Sequence, residues 1–284
     1  MKRSIAYLGP AGTNAEAAAL VCADLLQQQC SEEIELKPYP SIAQTLKAVA
    51  AQQTDWAVVP VENSIEGSVS MTLDTLWQVD ALQIQQALVL PISHALISRA
   101  SSVSLIQRIF SHPQALAQCQ GWLEQSLPNA QLIPTNSTAE AVQHLEESET
   151  IGAIASQRAA ELYNLPILAH PINDRPDNYT RFWLLSLNSS TSGSHTSIGF
   201  SLPANLPGAL AKALQIFAHR NINLSRIESR PTKRSLGEYL FFIDFEAALD
   251  VPSVQSALAE LEELTETLKV FGSYTIQPAT AIKQ

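Results

Sequence analysis

Ile5-Ala6-Tyr7-Leu8-Gly9-Pro10-Ala11-Gly12-Thr13-Asn14-Ala15-Glu16 sets the pattern for the larger part of the chain. The four apolar residues read as a short strand and Gly9 to Gly12 as a turn; Thr13, with Glu16 three residues on, forms the capping box that opens an Ala/Leu-rich helix. Ser41 with Gln44 and Ser137 with Glu140 repeat that start signal, each ahead of an apolar-periodic helix. Strand candidates lie between: Ile34-Glu35-Leu36, Trp56 to Val59, Ile84 to Ile97, Arg108-Ile109-Phe110, Gln131-Leu132-Ile133 and Gly152 to Ala155. This alternation, from Ser4 to about Leu187, predicts an α/β domain with mostly parallel strands.

The pattern stops at Asn188-Ser189-Ser190-Thr191-Ser192-Gly193-Ser194, small polar residues that predict a flexible linker over 188–195. A different unit follows over 196–276. Strands are expected at Thr196 to Leu202, Asn223 to Ser229, Tyr239 to Phe245 and near Leu268 to Ile276, with helices from Pro207 to Arg220 and from Val254 to Leu264. That order, β-α-β-β-α-β, is ferredoxin-like. Residues 277–284 form a tail.

The chain has 284 residues, 46% hydrophobic and 15% charged, enough for two globular domains with separate cores. A formal net charge of −10 and the lack of a basic cluster argue against nucleic acid or an anionic membrane as partner. No run reaches the ~18 uninterrupted apolar residues of a membrane span, and the N-terminus lacks an apolar signal region. Cys22, Cys30 and Cys119 are odd in number and lack metal-ligand spacing, so reduced thiols in a cytoplasmic protein are expected.

Four stretches carry candidate chemistry. Asn178-Tyr179-Thr180-Arg181-Phe182 heads the apolar run Trp183-Leu184-Leu185, and strand alternation puts Thr180 and Phe182 on one face with Arg181 on the other. The turn at Gly9 to Thr13 offers N–H groups and a helix dipole to an anion, but its glycines do not make the dinucleotide pattern, so a nicotinamide fold is a poor reading. Val58 to Gly67 ends an apolar strand with Glu62, Asn63 and Ser64, where open α/β sheets bind ligands, although from the residues alone a helix-capping role for Glu62 and Asn63 is favoured. In Ser111 to Cys119, Pro113 at a first helical position puts Ser111 and His112 at a helix start and Gln118 about two turns on. His112 has the pKa range of a general acid, but a helix dipole disfavours its cation and a capping role competes.

Taken together, Gly9 to Thr13, Val58 to Gly67, Ser111 to Cys119, Ser137 to Ala141 and Ile172 to Phe182 resemble, in order, the motifs of prephenate dehydratases, which make phenylpyruvate in phenylalanine biosynthesis. The chain departs from that pattern at Asn14 and Ala15, where the family has an aromatic and a hydroxyl residue. The resemblance implies a two-lobed, periplasmic-binding-protein-like catalytic domain over 1–187, with the second lobe at about 82–169. It implies Thr180, Glu62, Asn63, Ser111 and Gln118 as catalytic residues, and Gly12, Thr13, Ser64, Asn178, Arg181 and Phe182 as substrate-binding ones. Thr180 would hydrogen-bond the departing hydroxide; Arg181 and the N–H groups of Gly12 and Thr13 would hold substrate oxygens; Phe182 would shape the ring slot. No cofactor or metal is expected, since the reaction transfers no electrons.

The second unit resembles ACT domains. That implies a homodimer or homotetramer and phenylalanine as effector, held by Asn205, Leu206, Pro207, Gly208, Ala209 and Leu210 together with Glu228, Ser229, Arg230 and Pro231. An arogenate dehydratase, and a non-catalytic amino-acid-responsive protein binding a small anion, remain alternatives.

Overall fold

The computed structural model of the protein describes residues 3–30 and 33–278, except for the side chains of Gln29 and Cys30. Cys30 as a thiol and the end of the expected tail, 279–284, therefore lie outside the described residues. The opening apolar run becomes β1 (Arg3–Leu8), followed by α1 (Asn14–Cys30). Thr13 Oγ1 accepts the Glu16 N–H at 3.2 Å and the Glu16 carboxylate accepts the Gly12 N–H at 2.8 Å, which closes the helix start. Next come β2 (Ile34–Tyr39), α2 (Ile42–Ala50) and β3 (Trp56–Asn63), with Ser41 capping α2 through the Gln44 N–H. A short β4 (Gly67–Ser68), α3 (Ser70–Gln78) and β5 (Gln83–Pro91) complete the first pass.

The chain then builds a smaller body from β6 (Ala95–Ile97), β7 (Arg108–Ser111), α4 (Pro113–Gln118), α5 (Gln120–Ser126), β8 (Gln131–Pro134), α6 (Thr138–Gln143), β9 (Ile151–Ala155), α7 (Gln157–Leu162) and β10 (Ile167–Ala169). β11 (Tyr179–Ser186) returns antiparallel between β3 and β5. The expected single strand Ile84 to Ile97 is thus two strands in different sheets. Ile84 and Ala87 are fully buried in the core of the first body, so the second lobe begins only after β5, not near Leu82.

The ferredoxin-like unit follows: β12 (His195–Ser201), α8 (Ala209–Ala218), β13 (Leu224–Pro231), β14 (Tyr239–Phe245), α9 (Pro252–Leu264) and β15 (Thr267–Pro278). Its sheet runs on into the first lobe, in the order β13-β14-β12-β15-β5-β11-β3-β1-β2, with β4 beside β3. β15 joins the two, since Thr275–Pro278 pair parallel with Gln86–Val89 of β5. The smaller sheet has the order β10-β6-β9-β7-β8. Both sheets are mixed: β1, β2 and β3 are mutually parallel, as are β7, β8 and β9, and antiparallel strands flank them.

The ferredoxin-like unit also shares a core with the first lobe. Leu240, Phe242, Phe271 and Tyr274 pack in one cluster with Leu46, Leu73 and Trp183. Full burial of such side chains is worth roughly 1.5–3 kcal/mol each, so this contact is an anchor. The run 188–194 follows the anchor instead of swinging free. Ser190 and Ser194 hydrogen-bond to Ser273 and Tyr274, and Gly193, at φ +145°, lies so close to the Tyr274 backbone that a Cβ would collide with it. Small polar residues suited a linker by composition; their backbone groups found a strand to bind. Among the described residues no helix is long and apolar enough to cross a membrane.

Candidate active site

Two crossing segments join the lobes, Ile92–His94 and the stretch 170–178. They are tied by Ile92 N to Asn178 O at 2.7 Å, His94 N to Asn173 Oδ1 at 2.6 Å and Ile172 N to His94 O at 3.0 Å. The lobes also touch where Ser156 Oγ donates to Gly12 O at 2.9 Å and Arg158 lies 3.6 Å from Glu16. Between them is a cleft of about 1040 Å³, lined from the first lobe by Thr13, Asn14, Tyr39, Asn63, Thr180 and Phe182, and from the second by His112, Gln118, Ser137 and Thr138.

Thr180 sits opposite Asn63 in the β11–β3 register. Asn63 Nδ2 donates to Thr180 Oγ1 at 2.9 Å and to Asn178 Oδ1 at 2.8 Å, while Asn63 Oδ1 accepts the Ile65 and Glu66 N–H groups. Asn178 Nδ2 donates to Gln118 Oε1 at 2.9 Å, and His94 Nε2 meets the same oxygen at 2.9 Å. Asn63 Nδ2 also lies 3.2 Å from Tyr179 O, and a threonine oxygen that accepts from this amide keeps an O–H that it can donate to a ligand in the cleft. Four sequence-selected residues (Thr180, Asn63, Asn178 and Gln118) therefore form one buried chain. Phe182, 2% exposed, forms part of the apolar wall.

Other expected residues lie elsewhere. Arg181 faces the opposite side of β11, as alternation requires, and lies 3.6 Å from Glu62 and 3.6 Å from Asp244 of β14. Both Arg181 and Glu62 thus belong to a charge cluster between the first lobe and the ferredoxin-like sheet, where Arg226 also grips Asp244 at 2.7 Å and stacks over Trp183. Ser111 is fully buried and donates to Ile154 O at 2.6 Å, which binds β7 to β9 and not a ligand. The Gly12 N–H, expected to hold an anion, is taken by Glu16. Ser64 lies outside the cleft lining, bonded to Asp177 O and the Tyr179 N–H. Among the described residues, none of those lining the cleft is Lys or Arg.

His112 accepts the Gln114 N–H at 3.3 Å with Pro113 at the first helical position, and Ser137 accepts the Glu140 N–H at 3.0 Å; both are caps that also border the cleft. His94 had no motif to mark it. It is 4% exposed, and burial pushes its pKa below the usual histidine value, opposed in part by the bond to Gln118. Cys22 and Cys119 are unpaired, with thiols pushed up to about 12 by burial, so neither is a nucleophile at neutral pH.

In the ferredoxin-like unit a second cavity, of about 650 Å³, is lined by Asn205, Leu206, Gly208, Ala209 and Leu210 at the start of α8, with Tyr239, Phe241 and Glu266 opposite. Gly208 has φ +81° with nothing within 4 Å of a would-be Cβ, so glycine is required there by backbone conformation and not by crowding. The companion motif does not reach this cavity. Glu228 accepts from Ser68 Oγ at 3.0 Å, and Arg230 clasps Asp74 of α3 at 3.1 and 3.2 Å, so β13 turns these charges to the first lobe.

A family model described as prephenate dehydratase matches residues 5–190, and an ACT domain model matches residues 196–263. A bifunctional chorismate mutase/prephenate dehydratase of Aquifex aeolicus is 41% identical over 275 residues, covering 96% of this chain and 74% of that protein. A prephenate dehydratase of Lactococcus lactis is 36% identical over 280 residues, covering 96% of this chain and 97% of that one. Among solved structures, the prephenate dehydratase of Arthrobacter aurescens in complex with L-Phe superposes with a TM-score of 0.86 at 36% identity, covering 98% of this chain and 93% of that one.

Proposed function

The chain belongs to the prephenate dehydratase family and carries an ACT domain, and we propose that the cleft between its lobes performs the decarboxylating dehydration of prephenate with Thr180 as the group that assists the departing hydroxide. The observation that carries this reading is the bond from Asn63 Nδ2 to Thr180 Oγ1, which leaves the hydroxyl proton free for the cleft. Prephenate becomes aromatic when its C1 carboxylate leaves as carbon dioxide and its C4 hydroxyl leaves with the electron pair. A hydroxyl donor at C4 stabilises the charge that develops there, an effect of roughly 10²- to 10⁴-fold for acid assistance of this kind. Among the described residues the cleft lining offers N–H and O–H donors and neither Lys nor Arg, so no fixed cation holds the C1 carboxylate back from leaving as neutral carbon dioxide. Phe182 supplies an apolar wall for the ring that becomes aromatic.

Regulation by phenylalanine belongs to the same reading. The L-Phe complex of the Arthrobacter relative and the cavity at the start of α8 support it. A route to the cleft is offered by Arg181, whose neighbours on β11 are Thr180 and Phe182 and whose side chain reaches Asp244 of the ACT sheet. A homodimer or homotetramer is supported by β13, which ends the large sheet with Ile227 47% exposed. The unpaired buried thiols agree with a cytoplasmic protein.

The test is turnover of prephenate and of arogenate in parallel, with and without phenylalanine. Wild type should convert prephenate and slow on adding phenylalanine; Thr180→Val should lose at least 10²-fold in kcat with little change in KM. A Thr180→Val enzyme at wild-type kcat would exclude Thr180 from the chemistry.

A further inference from the structure

Two backbone amides set the direction of the buried chain at the cleft. Ile65 N and Glu66 N each donate to Asn63 Oδ1 at 3.0 Å, and a backbone N–H can only donate, so Asn63 must present its Nδ2 to everything else. Asn178 is therefore an acceptor at Oδ1 and a donor at Nδ2, and Gln118 Oε1 is its acceptor. The remaining lone pair of that oxygen faces His94 Nε2 at 2.9 Å, where only an N–H fits. Turning the Gln118 amide over would set its NH₂ against two donors at once.

We propose that His94 is a positioning residue for Thr180: as the neutral Nε2–H tautomer, held at the crossing between the lobes, it locks the Gln118 amide and with it the chain that keeps the Thr180 proton aimed at the cleft. The inference rests on the reading of Thr180 given above. The members come from every part that must come together. His94 and Asn178 lie on the two crossings, Gln118 ends α4 of the second lobe, and Asn63 and Thr180 lie on the large sheet. All five are less than 9% exposed, so the chain has little competition from water. Without the histidine N–H, Gln118 Oε1 keeps only the Asn178 donor, and the amide is held at its other end by the long bond from Nε2 to Glu66 Oε1 at 3.4 Å alone, so its direction is no longer locked. Asn178 then loses its fixed direction; Asn63, still held by the two backbone amides, loses the Asn178 Oδ1 acceptor that steers its Nδ2 and is left with Tyr179 O at 3.2 Å and Thr180 Oγ1, so its hold on Thr180 loosens. The backbone of His94 is pinned by Asn173 Oδ1 and the Ile172 N–H whatever its side chain, so substitution should leave the crossing intact.

Three measurements on the full chain test this. ¹⁵N–¹H spectra of histidine-labelled protein at neutral pH should show His94 protonated at Nε2 and bare at Nδ1; the opposite tautomer, or an imidazolium, overturns the proposal. His94→Leu should lower kcat by about 10- to 100-fold, as expected for leaving a buried polar group under-satisfied, with KM within about 3-fold. His94→Gln, which carries an amide N–H to about the same place, should recover most of that loss at a similar melting temperature. Equal losses in both variants would mean packing alone, and an unchanged kcat in His94→Leu would also sink the idea. The His94→Leu/Thr180→Val double variant should be no slower than Thr180→Val, because both act on one hydroxyl. If Thr180→Val is inactive while His94→Leu is normal, only the role of His94 fails. If Thr180→Val is normal, the reading beneath it fails as well.

Discussion

Replacing Asp244 by Asn should destabilise the protein far more than the loss of one hydrogen bond. Asp244 is 1% exposed and accepts from Arg226 Nε at 2.7 Å, Arg226 Nη2 at 3.2 Å and Ser197 Oγ at 2.6 Å, with Arg181 Nη1 at 3.6 Å. Burial alone would lower the Arg226 pKa, but the charge and hydrogen bonds of Asp244 overcome this and hold it above the usual arginine value. Asparagine keeps an oxygen for Arg226 and Ser197 but removes the charge, leaving Glu62 alone to balance two arginines. Breaking a buried pair from one side costs about 3–5 kcal/mol, against about 1 kcal/mol for an ordinary hydrogen bond. For a chain of this size the larger figure corresponds to a fall in melting temperature of about 10 °C. Calorimetry should show that fall for Asp244→Asn, and a smaller one for Arg226→Met/Asp244→Leu, which removes both charges and leaves Arg181 with Glu62. A single variant melting within about 1 °C of wild type, or a double variant worse than the single, would refute a buried, charge-dominated cluster.

Ending the chain at Ser192 would strip β15 from β5 and open the core around Trp183. The truncated chain should melt earlier and scatter light on heating, and full stability would contradict the shared core. At acid pH the clasp on Asp74 should fail. Burial alone would raise the Asp74 pKa, but Arg230 and Lys233 outweigh it and hold the carboxyl below its ordinary range. The contribution is complete above the unfolded carboxylate value of about 4 and is lost as pH falls through the depressed one. Urea midpoints followed downward from pH 6 should fall less steeply in Asp74→Asn than in wild type; identical slopes would rule out the linkage. For His94 the lowered pKa means that the unfolded chain takes up a proton first, so stability should decline below about pH 6.5, and His94→Gln should lack that decline.

Much of the site was readable because its signals are local. The cap at Ser41, the box at Thr13 and Glu16, and Pro113 after His112 all join residues two to four apart, and each was found as expected. The capping box also held a warning about the turn before α1, for a Glu16 that reaches back to the helix start competes with any anion for the Gly12 N–H. Strand alternation separated Thr180 from Arg181, but it could not say which face looks into the cleft. That depends on what lies on each side of β11: the ACT sheet on one, α1 and the cleft on the other.

The sequence alone determined the helix starts at Thr13, Ser41, Pro113 and Ser137, the two kinds of domain and the residue types at the cleft, since these follow from neighbours along the chain. Only the tertiary structure decided which of those residues meet. Asn63 and Asn178 are 115 positions apart, Gln118 and Asn178 are 60 apart, and His94 reaches Gln118 across a boundary the apolar run 84–97 concealed. Contacts of that span are set by sheet order and lobe closure, which depend on the packing of whole faces and leave no pattern at any single position.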